Sequence, residues 1–232
     1  MAKILIAGDN LSGEGMWHFF KNHDVSTFSV WEVDDKESTW FNYAIICESP
    51  LTKSLSLTRK RNIKDLRCDT TLIEDAIQRN NAGLFIVASN VEPGTVDRIK
   101  QQTGQRIVHL CCENKMFVFG GIPSDTKEAV ELFASVGGSN HRYLQTDSKT
   151  CELFRHTKNT FNTVMQTLTK QMKNICNASN IDFYQMRELW LTEMNIDLND
   201  IDAQDQETIE TFAAYVDSIG CNTKILMDLV NT

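Results

Sequence analysis

The chain has 232 residues, 41% hydrophobic and 23% charged, a balance that excludes intrinsic disorder and suits one large globular domain or two small ones. Its net charge of −8 speaks against a surface built to neutralise nucleic-acid phosphates. Seven cysteines with no Cys-x-x-Cys pair, and no run apolar enough to span a bilayer, predict a reduced cytoplasmic protein without disulfides, metal or membrane anchor.

Lys3–Gly8 is a β-branched apolar run closed by glycine, the pattern of a buried strand, and with a strand at Lys3 we expect no signal peptide. Asp9–Gly15 reads as a loop entering a helix. Val25–Val30 and Tyr43–Ser49 read as the second and third strands. From Pro50 to Arg67 we expect loop and a short helix, with Arg59, Lys60, Arg61 and Lys64 on a solvated face. Thr70–Asn80 predicts a helix with Thr70 or Thr71 as its N-cap. Leu84–Ser89 is a fourth strand, followed by a turn and a short helix over Thr95–Gln102. Arg106–Cys112 and Phe117–Gly121 are two further strands. Ser124–Gly137 predicts a helix capped by Ser124, with a Lys127–Glu131 pair and an apolar face of Ala129, Leu132, Phe133 and Val136. Arg142–Thr146 closes this half. Alternating strands and helices predict a Rossmann-type α/β domain over residues 1–147, its sheet mostly parallel with helices on both faces.

Residues 148–232 read as a helical region. No Gly or Pro interrupts the sequence from Asp147 until Gly220, and apolar residues repeat at helical spacing. We expect one helix over residues 148–177, roughly 45 Å long, then helices over Asp182–Met194, Gln204–Ser218 and Asn222–Val230. A helix of that length needs covering. Either a second copy packs along it, making a homodimer, or the later helices do.

Two loops point to a ligand. Gly8-Asp9-Asn10-Leu11-Ser12-Gly13 follows the first strand, with Gly8 and Gly13 at the outer places of a dinucleotide-binding G-x-G-x-x-G and Asn10 at the middle one. The expected acid at the end of the second strand has no clean match: Ser29 stands there, with Glu32 beyond it. The second loop, Ala88–Thr95, leaves the carboxyl end of the fourth strand with Ser89 and Thr95 hydroxyls and a Pro93–Gly94 turn. Either loop could also be a plain strand-to-helix corner.

The stretch Ser89-Asn90-Val91-Glu92-Pro93-Gly94-Thr95 resembles a motif of the UDP-glucose/GDP-mannose dehydrogenase family, and other landmarks follow in that family's order. KILIAG-DNLSG resembles its opening, HDVSTFS (His23–Ser29) its second strand, YAIICESP the turn near the nicotinamide, and TDSKTCELFRHTKNTF (Thr146–Phe161) the start of its central helix. The resemblance covers about residues 3–195. It implies NAD as cofactor, bordered by Gly8, Asn10, Leu11, Gly13, Ser49 and Ser89, and a nucleotide-sugar substrate oxidised twice at its C6 alcohol. The family's Lys and Asn on the central helix become Arg155 and Asn159, on one face at i, i+4. Arg keeps the charge but cannot shuttle a proton as Lys does. Cys221, after Gly220 and before Lys224, stands nearest to the family's nucleophilic cysteine.

Two features depart from that pattern. The loop carrying the family's catalytic Glu has no room, because only Glu113–Met116 separates two strands. The chain also ends near where the family begins a second α/β domain. Besides a nucleotide-sugar dehydrogenase, two alternatives therefore stand: a non-catalytic dinucleotide-binding dimer that contacts another macromolecule, and a dehydrogenase of a smaller substrate.

Overall fold

A computed structural model describes residues 2–8, 11–28, 39–47, 51–52, 68–113, 115–194 and 206–224. Asn10, Ser29, Glu32, Ser49, the basic stretch at 59–64 and the helix expected to run past 224 lie outside the described residues, as does the side chain of Leu11. The chain divides into two compact units: residues 1–61 with 66–155, and residues 156–232 with 62–65.

The first unit carries the sheet. In chain order its elements are β1 (Lys3–Ala7), α1 (Leu11–Phe20), β2 (Asp24–Phe28), β3 (Trp40–Ile46), the short β4 (Leu51–Thr52) and β5 (Cys68–Asp69), α2 (Thr71–Arg79), β6 (Asn81–Val87), α3 (Thr95–Thr103), β7 (Ile107–Glu113), β8 (Met116–Gly120), α4 (Pro123–Gly137) and β9 (Arg142–Thr146). Seven strands run in the order β2-β1-β3-β6-β7-β8-β9, while β4 and β5 pair separately. All neighbours in the large sheet are parallel except β7 and β8. That exception follows from chain length: Glu113 pairs with Met116, and so short a connection can only make a hairpin. The Rossmann-type architecture expected from the alternation is thus observed.

Both faces are covered. Ile4, Ile6, Ile45 and Leu84 point to one side, where Met16 and Phe20 of α1 and Ala129, Leu132 and Phe133 of α4 pack on them. Leu5, Ala44, Phe85 and Val87 point to the other and meet Ile73 and Ile77 of α2 and Val96 and Ile99 of α3. This alternation along strands buried on both faces is why they read as continuous apolar runs.

One expected cap differs in position and the other only in its bond. α4 starts at Pro123 with Ile122 in the N-cap position, so Ser124 lies inside the helix, its hydroxyl 3.3 Å from Asp125 Oδ1. The proline's fixed φ begins the helix before a serine cap is reached. Thr70 stands at the N-cap of α2, yet its hydroxyl donates to Glu74 Oε1 at 2.6 Å instead of accepting from a backbone amide.

α5 (Ser148–Ala178) begins in the first unit and continues in the second. Asp147 caps it, accepting the Thr150 amide at 2.9 Å, and bonds from Thr150 hold its carboxyl below the ordinary value. Its first turn packs Cys151 onto Cys111 and Val118 of the hairpin. The second unit adds α6 (Phe183–Met194) and α7 (Gln206–Ser218). Here Phe212 stacks on His156 at 5.3 Å with an interplanar angle of 8°. Among the described residues no helix is long and apolar enough to cross a membrane, and no cluster of three or more His, Cys, Asp or Glu could hold a metal.

Candidate functional site

β2 and β3 flank β1 on opposite sides, so the strand order reverses at the carboxyl ends of β1 and β3. In open parallel sheets ligands bind in the crevice at such a reversal. Gly8 sits there with φ of +128°, a conformation that favours glycine, and a Cβ on it would lie 2.9 Å from the Cys47 carbonyl carbon. Gly13, buried in the first turns of α1, touches it: a Cβ on Gly13 would collide with the Gly8 carbonyl oxygen. The two glycines therefore let α1 start close against the end of β1, with its amino end at the crevice, the arrangement a pyrophosphate requires.

The neighbouring strand ends continue the ladder, with Cys47 N donating to Ala7 O at 2.7 Å and Ala88 N to Ile46 O at 2.8 Å. Ser89 follows Ala88 and is buried, its hydroxyl donating to Ile46 O at 3.4 Å. Thus Gly8, Gly13 and Ser89 share the carboxyl edge of three adjacent strands.

Arg155, on the second turn of α5, reaches the same edge. Its Nη1 donates to Ala88 O at 3.1 Å. A cleft of 310 Å³ opens beside it, walled by Met16 and Phe19 of α1, Cys112 of β7 and Phe117 of β8, with His141 lining it before β9. His141 Nδ1 lies 3.0 Å from the Gly137 carbonyl, which can only accept, so the neutral ring keeps its Nε2 lone pair. The cleft thus pairs one cation with one titratable ring between apolar walls. Asn159 follows Arg155 by one turn of α5 and is half-buried, its carbonyl accepting the Thr163 hydroxyl at 3.1 Å. Cys221 is exposed beyond α7, its amide donating to Val216 O at 3.1 Å. Both belong to the second unit.

Sequence reasoning missed three side chains at this edge. Glu152 is fully buried, and its two oxygens accept from Gly94 N at 2.5 Å and Val96 N at 2.8 Å, at the amino end of α3. Burial pushes its carboxyl up to about 7, against the opposing pull of the two amides. His109 and Cys151, also fully buried, lie 3.3 Å apart between Nδ1 and Sγ, and His109 Nε2 is 3.1 Å from the Ser89 carbonyl. Since that carbonyl only accepts, Nε2 carries a proton, while the Cys151 thiol also reaches the Val118 carbonyl, to which it donates at 3.3 Å. Burial raises the Cys151 thiol to about 12, so it is a packing and hydrogen-bonding group and no nucleophile. One signal for Glu152 was present: Gly94 occupies the N-cap of α3 and has no side chain to cap with, so the acceptor has to come from elsewhere.

Among solved structures, the chain superposes on a UDP-glucose dehydrogenase from the hyperthermophilic archaeon Pyrobaculum islandicum with a TM-score of 0.76 and 12% identity, covering 100% of this chain and 67% of that one. The fold is the same. A GDP-mannose dehydrogenase from Pseudomonas aeruginosa gives 0.66 and 12%, covering 99% and 67%. A 3-hydroxyisobutyrate dehydrogenase from Mycobacterium tuberculosis gives 0.73 and 10%, covering 100% of this chain and 92% of that one. The chain therefore spans about two thirds of the two sugar-nucleotide enzymes and nearly all of the hydroxy-acid enzyme. No protein-family model and no curated protein sequence matches it.

Proposed function

We propose that this chain binds NAD at the Gly8–Gly13 corner and acts as a dehydrogenase of the nucleotide-sugar type. The contact between Gly8 and Gly13 at the strand-order reversal carries this reading, because it brings helix amides to the place where a pyrophosphate sits. Gly8, Asn10, Leu11, Gly13, Ser49 and Ser89 would border the cofactor, whose nicotinamide accepts a hydride when bound. The Arg155 guanidinium, fixed on the Ala88 carbonyl, stabilises negative charge developing on the substrate oxygen. His141 Nε2 takes the hydroxyl proton, a task closed to an arginine. The exposed apolar residues Phe161, Leu168 and Ile175 recur every seven positions along α5 and support a homodimer through that helix.

A second reading, a small hydroxy acid as substrate, has two observations in its favour. The cleft is at the small end of ligand-site volumes, and the hydroxy-acid enzyme is matched over 92% of its length. An arginine also suits a carboxylate.

Formation of reduced nicotinamide is the test, with UDP- and GDP-sugars in one arm and short hydroxy acids in the other. Turnover in either arm, lost in Arg155→Ala, supports a dehydrogenase and selects its substrate class. Turnover that survives Arg155→Ala together with Asn159→Ala removes the site assignment. NAD binding without turnover in both arms leaves the non-catalytic dinucleotide-binding dimer.

A further inference from the structure

The turn from Ala88 to Val96 is held at both ends and near its start from outside its own sequence. Arg155 bonds the Ala88 carbonyl at 3.1 Å. His109, which abuts Cys151, contacts the Ser89 carbonyl at 3.1 Å. Glu152 accepts the Gly94 and Val96 amides at 2.5 and 2.8 Å. Residues 151, 152 and 155 all lie on the first two turns of α5, so one helical segment grips the whole turn. α3 starts with Gly94 at a φ of +98° and no side-chain cap, which leaves Glu152 as the group that completes its amino end.

We propose that Glu152 is a positioning residue for the cofactor site: as a carboxylate it clamps the Ala88–Val96 turn to α5 and so sets where Ala88, Ser89 and Arg155 stand at the carboxyl edge. This rests on the dinucleotide reading of that edge. A carboxylate accepts from both amides. A carboxylic acid turns one oxygen into a donor and serves one amide well, so protonation releases half the clamp. Opposing demands meet on this group. Burial favours the neutral acid and brings its pKa to about 7, while the two amides favour the anion. The charged and titratable groups around it are Asp97 on α3, Asp147 before α5, Cys151 and Arg155 on α5, and His109 on β7 behind Cys151. Asp97 and Asp147 both disfavour its charge.

If NAD binds only the clamped form, its dissociation constant rises about tenfold from pH 8 to pH 6, in proportion to the lost carboxylate fraction. Glu152→Gln, which cannot change charge, gives weaker and pH-independent binding, and Glu152→Asp restores the pH dependence in part.

The experiment is a ligand-free NMR pH titration of the wild-type chain, followed by NAD binding at pH 6 and pH 8. The Gly94 and Val96 amide signals are expected to shift together with a midpoint at about 7. Flat amide signals across that range overturn the clamp, whatever NAD does and whether or not the variants fold. Titrating amides with pH-independent NAD binding overturn the positioning role. Titrating amides with no NAD binding at all keep the clamp and instead sink the dinucleotide reading.

Discussion

Arg155 and Ala88 stand 67 positions apart in sequence, and the 3.1 Å bond from the guanidinium to the Ala88 carbonyl joins α5 to the carboxyl end of β6. That bond places a cation in a cleft whose other walls are mostly apolar. Arg155→Ala is expected to lower kcat/KM by a factor of about 10² to 10³, the usual loss for one donor to a developing oxyanion. Arg155→Lys keeps charge but loses the planar fork and is expected to recover only part of it. His141→Gln, which removes the Nε2 acceptor, is expected to lower kcat without restoring anything lost in Arg155→Ala. Steady-state kinetics across pH read all three, and an unchanged rate in Arg155→Ala refutes the role given to it.

The Gly8–Gly13 contact predicts a pattern of glycine effects on stability. Gly13→Ala puts a methyl group into the Gly8 carbonyl and is expected to cost about 1–3 kcal/mol. Gly15, two positions on in the same helix, has open space where a Cβ would stand, with nothing within 4 Å, and Gly15→Ala should stabilise by about 0.5–1 kcal/mol. Urea unfolding curves check the opposite signs, and equal effects would mean a corner with room for a methyl group at both positions.

Glu152 gives stability a pH slope. Its proton is held more tightly in the folded chain, at about 7 against an ordinary 4.5. Its contribution is therefore fully present below pH 4.5 and is lost as pH rises through 7, a fall on the order of 3 kcal/mol. Asp147 acts in the opposite sense and in a more acid window: its lowered carboxyl adds stability that disappears as pH falls. Unfolding free energy measured between pH 5 and pH 8 should decline in the wild type and run flatter in Glu152→Gln. A wild-type curve that rises over this window contradicts the burial effect.

Phe161 and Ile175, each 57% exposed, lie in register along α5 with Leu168 between them. Phe161→Asp with Ile175→Asp should turn a dimer into a monomer in sedimentation equilibrium while leaving helix content unchanged. A wild-type chain that sediments as a monomer rules out the dimer.

Much of the fold was legible because its strands are local patterns. KILIAG, LFIVAS and RIVHLCC are buried on both faces and need no partner to be recognised. The long helix follows from an uninterrupted run without Gly or Pro, whereas the antiparallel pairing of β7 with β8 was not foreseen, although the brevity of its turn was in the sequence. Gly8 and Gly13 were legible for the same local reason, being close in sequence at the end of the first strand. The grip on the Ala88–Val96 turn was not. Glu152 meets amides 58 and 56 positions away, and His109 meets a thiol 42 positions away, so each pairing exists only after the sheet and α5 have docked. In sequence the glycine before α3 asks for an outside acceptor, but nothing marks Glu152 as the group that supplies it.

Whether the crevice at Gly8 and Gly13 takes a dinucleotide decides the rest. Isothermal titration of the wild-type chain with NAD, NADP and ADP-ribose measures it most directly. Saturable binding near one molecule per chain, with ADP-ribose retaining much of the affinity through its pyrophosphate, is the predicted result. No heat of binding from any of the three at millimolar concentration, on a chain shown to be folded by its circular dichroism, contradicts it.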